Sequence, residues 1–167
     1  MGLSQADFDR FVDEHGPALY RMAYRMMGDR HEAEDVVQDT MRSAWKSRHR
    51  FDRRRSARAW LVAILRRRII DRWRRRPRPG LMAAGQELDI AVTDRDPFAD
   101  GFTDRMQQAL GSLKDQLRET LLLVVVAELT HQETADLLDV PLGTVLSRVS
   151  RARQRLRQFL LAEARQQ

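Results

Sequence analysis

The chain has 167 residues, room for one ordinary domain or two small ones, and its 30 Lys and Arg outnumber its 24 Asp and Glu for a formal charge of +6. It has no cysteine, which excludes disulfides, thiolate nucleophiles and cysteine-ligated zinc. Its longest wholly apolar run, Leu121 to Ala127, is far below the roughly 20 residues that cross a bilayer. The four histidines are scattered, and no paired carboxylates, nucleophile–base set or phosphate loop stands out. A basic, soluble, cytoplasmic protein is expected, with no membrane insertion, no enzymatic activity, no cofactor and no metal.

Helical periodicity runs through the chain. Ser4 can cap a first helix carrying Phe8, Phe11 and Val12, and Pro17 suits the first turn of a continuation from Ala18 to Met27, stopped at Gly28-Asp29. The next helix is expected over about 31–48. Ala33, Val36, Val37, Thr40, Met41, Ala44 and Trp45 form its apolar stripe, leaving Glu32, Asp35, Gln38, Asp39 and Arg42 on the outer face. An arginine-rich loop around Phe51 and Asp52 follows. A third helix, about 57–76, turns Leu61, Leu65, Ile69 and Trp73 to the core, with Arg66, Arg67 and Arg74 on the other side and Trp60 and Ile64 at the edge. Pro77 and Pro79-Gly80 end it.

Residues 79–103 read as an acidic, Pro- and Gly-containing flexible linker. Beyond it, helices are expected over about 102–113 and 115–128, the latter with Leu121, Leu122 and Val125 inward. Thr130 and Glu133 have capping-box spacing and start a short helix, 131–138. Asp139-Val140-Pro141 makes a tight turn into a long helix, about 142–164. Val145, Val149, Ala152 and Leu156 face its core, while Ser147, Arg148, Ser150, Arg151 and Arg155 are left outside. The fold class is therefore all-α: two small helical domains, 1–78 and 104–167, joined by the linker, the C-terminal one a helix-turn-helix.

Charge is segregated along this layout. Residues 1–40 hold nine acids against four bases, 42–78 hold sixteen bases against two acids, and 147–157 hold five arginines and no acid. Blocks of opposite sign suggest separate surfaces for separate partners, and the basic ones suit a nucleic acid. Arginine supplies 28 of the 30 basic residues, a choice matched to bidentate phosphate and guanine contacts.

Three motifs carry a resemblance. Gly143 followed by Thr144-Val145-Leu146-Ser147-Arg148-Val149-Ser150-Arg151-Ala152-Arg153 is similar to the "GTV.SR..RAR" signature of extracytoplasmic-function (ECF) sigma factors of bacterial RNA polymerase. Glu32-Ala33-Glu34-Asp35-Val36-Val37-Gln38-Asp39-Thr40 resembles that family's "AEDlvQdtf" helix. Trp60-Leu61, Ile64 and Ile70-Asp71-Arg72 resemble its "WL..I…iDr.R" helix. The order and gaps match over nearly the whole chain.

The resemblance implies that Glu32, Asp35, Gln38, Asp39 and Arg42 dock on the RNA polymerase core enzyme. Arg50, Phe51, Arg54, Trp60, Arg66, Arg67 and Arg74 would handle the −10 element, where opening a duplex requires phosphates to be held and an unpaired base to be captured. Thr144, Ser147, Arg148, Ser150, Arg151 and Arg155 would read the −35 element of promoter DNA in the major groove. An anti-sigma factor covering these faces is a further implied partner. From the residues alone, Phe51 is open between a hydrophobic peg and a base-capturing group, and Trp60 between core and stacking. The chain departs from the family pattern at Arg67 (often Asn), Leu146 (often Lys or Arg) and Ser150 (often bulky or aromatic), which bears on how each DNA element is read. The competing architecture is a stand-alone helix-turn-helix regulator that binds DNA through 104–167 and dimerises through 1–78.

Overall fold

The computed structural model describes residues 3–75 and 104–165, as part of two compact units divided at Arg76 and Pro77. The linker expected at 79–103, and the start of the helix expected at Phe102, lie outside the described residues.

The first unit contains α1 (Gln5–Met27), α2 (Arg30–Ser47), a 3-10 turn (Arg48–Arg50) and α3 (Ala57–Arg75). Ser4 caps α1 by accepting from the Asp7 N–H at 3.2 Å. Gly28 ends the helix in the left-handed region (φ 68°), its N–H donating to the Tyr24 carbonyl at 2.7 Å. The break expected at Pro17 is absent: α1 runs unbroken through it. Proline removes the hydrogen bond to the carbonyl four residues back, at Asp13. Both residues lie on the exposed side, where the carbonyl does not need a partner from within the chain.

Asp29 caps α2 by accepting from the Glu32 N–H at 2.8 Å. Ala33, Val36, Thr40 and Ala44 form its buried stripe, and the Thr40 hydroxyl is satisfied by donating to the Val36 carbonyl at 2.7 Å. The small side chains of Ala33 and Ala44 let α2 approach its neighbours α1 and α3 closely. From α1, Leu19, Met22 and Met27 fill the core against Leu61, Leu65 and Ile69 of α3. Trp73, expected inward with them, is only half-buried, since α3 outruns the core there; its indole Nε1 is nevertheless shielded from solvent and makes no hydrogen bond.

The second unit contains α4 (Asp104–Gly111), α5 (Asp115–Val125), α6 (His131–Leu138) and α7 (Leu142–Ala164). α7 packs against the other three. Helix α5 stops three residues short of the expected end at 128. The chain turns through Glu128 (φ 55°), and the Leu129 N–H closes the turn on the Leu123 carbonyl at 3.0 Å. Val125 thus falls on the last residue of the helix and is 45% exposed, whereas Leu121, Leu122 and Leu123 are buried.

The capping box at α6 is complete. The Glu133 N–H donates to Thr130 Oγ1 at 3.1 Å, and the Thr130 N–H to Glu133 Oε2 at 2.8 Å. Asp139 ends α6 in the left-handed region, with the Val140 N–H returning to the Ala135 carbonyl at 3.1 Å. Buried Ala135 and the buried Val145, Val149 and Ala152 of α7 fix the two helices against one core, a helix-turn-helix.

Candidate interaction surfaces

Three surfaces emerge, two on the first unit and one on the second. The first is an acidic ridge on α2. Glu32, Asp35 and Asp39 are spaced three and four residues apart, so they share one helix face. Arg72 reaches them from α3. Its guanidinium donates to Glu32 Oε2 at 2.9 Å and Asp39 Oδ2 at 3.4 Å, and lies 3.7 Å from Asp35 Oδ2. The hydrogen bond that Arg72 donates to Glu32 and the charge of all three carboxylates push the Arg72 pKa up, against the desolvation that opposes it. Arg68, Asp71 and Arg75 complete the walls of a cleft of about 370 Å³ between the helices. Asp35 keeps most of its carboxylate in water, Gln38 is exposed, and Arg42 donates to Asp39 at 3.3 Å while staying exposed. All five ridge residues named from the sequence lie on or beside this face. Arg72, the residue that ties the ridge down, was not among them. Its sequence signals were its place in the Ile70-Asp71-Arg72 motif, which assigned it no ridge contact, and an acidic face at i, i+3 and i+7 in need of a counter-charge.

The second surface is basic. Trp60, Arg67 and Arg74 recur every seven residues, so α3 brings them onto one stripe; Arg67 and Arg74 are exposed, and Trp60 and Arg66 half-buried. Arg50 is exposed on the 3-10 turn. The loop that follows is braced by one carboxylate of its own and one from α1. Asp52 accepts from the Arg54 N–H at 3.0 Å and its Nε at 3.2 Å, and Asp7 of α1 accepts from Arg53 at 2.8 Å. The bonds from Arg54 hold the Asp52 carboxyl below the usual carboxylate range. Asp7 is held at about 2, first by the Ser4 hydroxyl and then by Arg10.

Phe51 lies inside this surface rather than on it. It is 7% exposed, with the ring of Phe11 edge-on at 5.6 Å and that of Trp60 tilted at 4.9 Å. Of the two roles open from the sequence, its burial favours the peg, because a stacking platform needs a free ring face. Trp60 forms the outer edge of the same cluster. Arg48 stacks over Trp45 with its guanidinium carbon 3.7 Å from the ring centroid, and Trp45 in turn meets Phe8 at 5.1 Å.

The third surface is the outer side of α7. Ser150, Arg151 and Arg155 are exposed, and Thr144, Ser147 and Arg148 are half-buried at its margin. Pro141 starts the helix by accepting from the Thr144 N–H at 3.0 Å and the Val145 N–H at 3.3 Å. Gly143 lies on the exposed side with ordinary backbone angles, and a Cβ placed there would touch nothing within 4 Å. The chain's own packing therefore does not require glycine at this position. Among the described residues, no group of three or more His, Asp or Glu is placed to hold a metal ion, and no helix is long and apolar enough to cross a membrane.

Residues 11–78 match the family described as Sigma-70 region 2, and residues 103–156 the one described as Sigma-70, region 4. The ECF RNA polymerase sigma factor SigW of Bacillus subtilis is 30% identical over 168 residues, covering 93% of this chain and 90% of that one. The ECF RNA polymerase sigma factor SigE of Mycolicibacterium smegmatis is 33% identical over 158 residues; the match covers 92% of this chain but only 61% of that longer relative. Among solved structures, the sigma factor RpoE from Bartonella quintana, in complex with the anti-sigma factor NepR, matches with a TM-score of 0.77 and 31% identity, covering 92% of this chain and 96% of that one. CnrH, in complex with the cytosolic domain of CnrY, matches with a TM-score of 0.72 and 29% identity, covering 95% and 90%.

Proposed function

The chain belongs to the ECF sigma factors, and from that membership we propose how its three surfaces divide the work of directing RNA polymerase to promoters. The α2 ridge docks on core polymerase. Its carboxylates are pre-arranged by Arg72, so a basic partner helix meets a set geometry and loses less entropy on binding. The stripe of Trp60, Arg67 and Arg74, flanked by Arg50, Arg54 and Arg66, holds the phosphates of the opened −10 strand. Phe51 supports that surface from beneath. The outer face of α7 enters the major groove of the −35 element, where Ser147 and Arg151 reach base edges and Arg148 and Arg155 steady the backbone.

One observation carries this reading. An acidic ridge and an arginine stripe sit on a single three-helix unit, and the same chain also holds a helix-turn-helix. A stand-alone regulator that used its first unit for dimerisation would have no use for so charged a pair of faces. The reading assigns no covalent step to the chain and places it in the cytoplasm with the polymerase. It also makes the exposed faces targets for an anti-sigma factor, a class of partner that the Bartonella quintana relative binds in its complex with NepR.

Run-off transcription with core polymerase, with and without the chain, tests the proposal. Initiation at a selected promoter only when the chain is present supports it. Tight operator binding by the chain alone, unaltered by core enzyme, would favour the stand-alone regulator.

A further inference from the structure

The DNA-facing side of α7 holds more than arginine and serine. Among the described residues only a few large apolar side chains are strongly exposed, and two of them, Leu142 (41%) and Leu146 (48%), stand on the first turns of α7. They are four residues apart, so their directions differ by about 40°, and Ser150 follows by the same step. The result is an apolar strip that opens the helix and runs beside Ser147 and Arg151. The buried stripe of the same helix, Val145, Val149 and Ala152, is separate and already fully packed. Leu146 therefore stands outside that packing, while Leu142, seven residues before Val149, borders it.

A leucine left half in water on a helix that carries exposed arginines is matched by an apolar spot on whatever the arginines bind. On the base edges of the major groove the only apolar group is the C5-methyl of thymine. Leucine has no donor or acceptor, so it cannot read a guanine or an adenine through hydrogen bonds. The N-terminal turns of a recognition helix are also the part that reaches base edges. We infer that Leu146 is a specificity-determining residue that packs on a thymine methyl within the −35 element, with Leu142 extending the apolar contact toward the start of the helix. This rests on the proposal that α7 reads that element. It adds what the charged residues do not decide, namely that the favoured site holds a thymine, on one strand or the other, beneath Leu146.

The test uses the full chain bound to core polymerase. A promoter is first selected from a pool randomised across the −35 region. Each −35 thymine on either strand is then replaced singly by deoxyuridine, which removes the methyl and leaves pairing intact. At one thymine, deoxyuridine is expected to weaken holoenzyme binding about fourfold, the worth of one buried methyl-sized group. That penalty disappears in Leu146→Ala, which leaves the buried stripe untouched. In Leu146→Lys the penalty is also lost, and the added cation steepens the salt dependence by about one unit of log–log slope. Deoxyuridine silent at every position, or an equal penalty in Leu146→Ala, would overturn the inference while leaving −35 recognition standing. A holoenzyme that selects no −35 sequence at all would instead overturn the reading beneath it.

Discussion

Arg72 donates to Glu32 at 2.9 Å across forty residues of sequence, and this bond locks α3 to the acidic face of α2. The same guanidinium also reaches Asp39 and lies near Asp35, so one cation organises three carboxylates. Because the groups are partly exposed, water screens much of the attraction. Replacing Arg72 with Met is expected to cost about 1 kcal/mol of stability, read as a lower urea midpoint, and to weaken core binding as the ridge loses its geometry. Arg72→Lys should restore little, since a point charge cannot fork between the Glu32 and Asp39 carboxylates. Wild-type core affinity in Arg72→Met would show that the ridge needs no organiser.

Asp35 is the ridge carboxylate least involved in that lock, with a side chain 64% exposed. Asp35→Arg should reduce affinity for core polymerase roughly tenfold at low salt and leave the thermal transition of the free chain in place. Asp39→Arg is a less clean probe, because Asp39 accepts from both Arg72 and Arg42 and its reversal sets three cations together. A pull-down showing unchanged affinity for Asp35→Arg would remove the ridge from the docking surface.

Phe51 closes the aromatic cluster between α1 and α3. Phe51→Ala should cost about 3–5 kcal/mol and unfold much of the first unit, seen as loss of near-ultraviolet dichroism from the neighbouring tryptophans. If the variant keeps its stability and loses only −10 opening, Phe51 acts on DNA directly and the peg assignment fails.

Gly143 separates folding from binding. In a helix, alanine is favoured over glycine by about 1 kcal/mol, and here its methyl meets nothing in the chain. Gly143→Ala should therefore raise the melting temperature of the second unit while weakening −35 binding, because the methyl occupies the space where the DNA backbone approaches. A variant that is both more stable and equally tight would show that no close approach occurs there.

His15 is buried beside Phe11, and desolvation pushes its pKa below the ordinary 6.5; Arg58 adds to this and Glu14 opposes it. The folded chain thus binds fewer protons than the unfolded one between the lowered value and 6.5. Stability is expected to rise with pH through that window, to level above 6.5 and to fall on acidification below it. His15→Gln should flatten the slope in urea titrations followed against pH. A slope that survives the substitution would place the titrating group elsewhere.

Much of this was legible in the linear chain because the signals were local. The buried stripes of α2 and α7, the Thr130–Glu133 capping box and the stop at Gly28 follow from side-chain periodicity and from single-turn chemistry. The misread points were those where a local rule met a tertiary condition. Pro17 breaks helices in isolation, yet here its lost hydrogen bond falls on a wet face. Val125 fits the helical period, yet α5 ends on it and leaves it exposed, while Leu123 on another side of the helix is buried.

Residue order alone therefore determined that the chain is helical, where its charges cluster and which helix faces are apolar, since these depend on neighbours within a few positions. Only the tertiary structure decided that Arg72 belongs to the acidic ridge, that Phe51 lies beneath the basic surface rather than on it, and that Leu146 is left bare. Each of these depends on which distant side chains share the same space, and a pair forty residues apart leaves no periodic trace in the sequence.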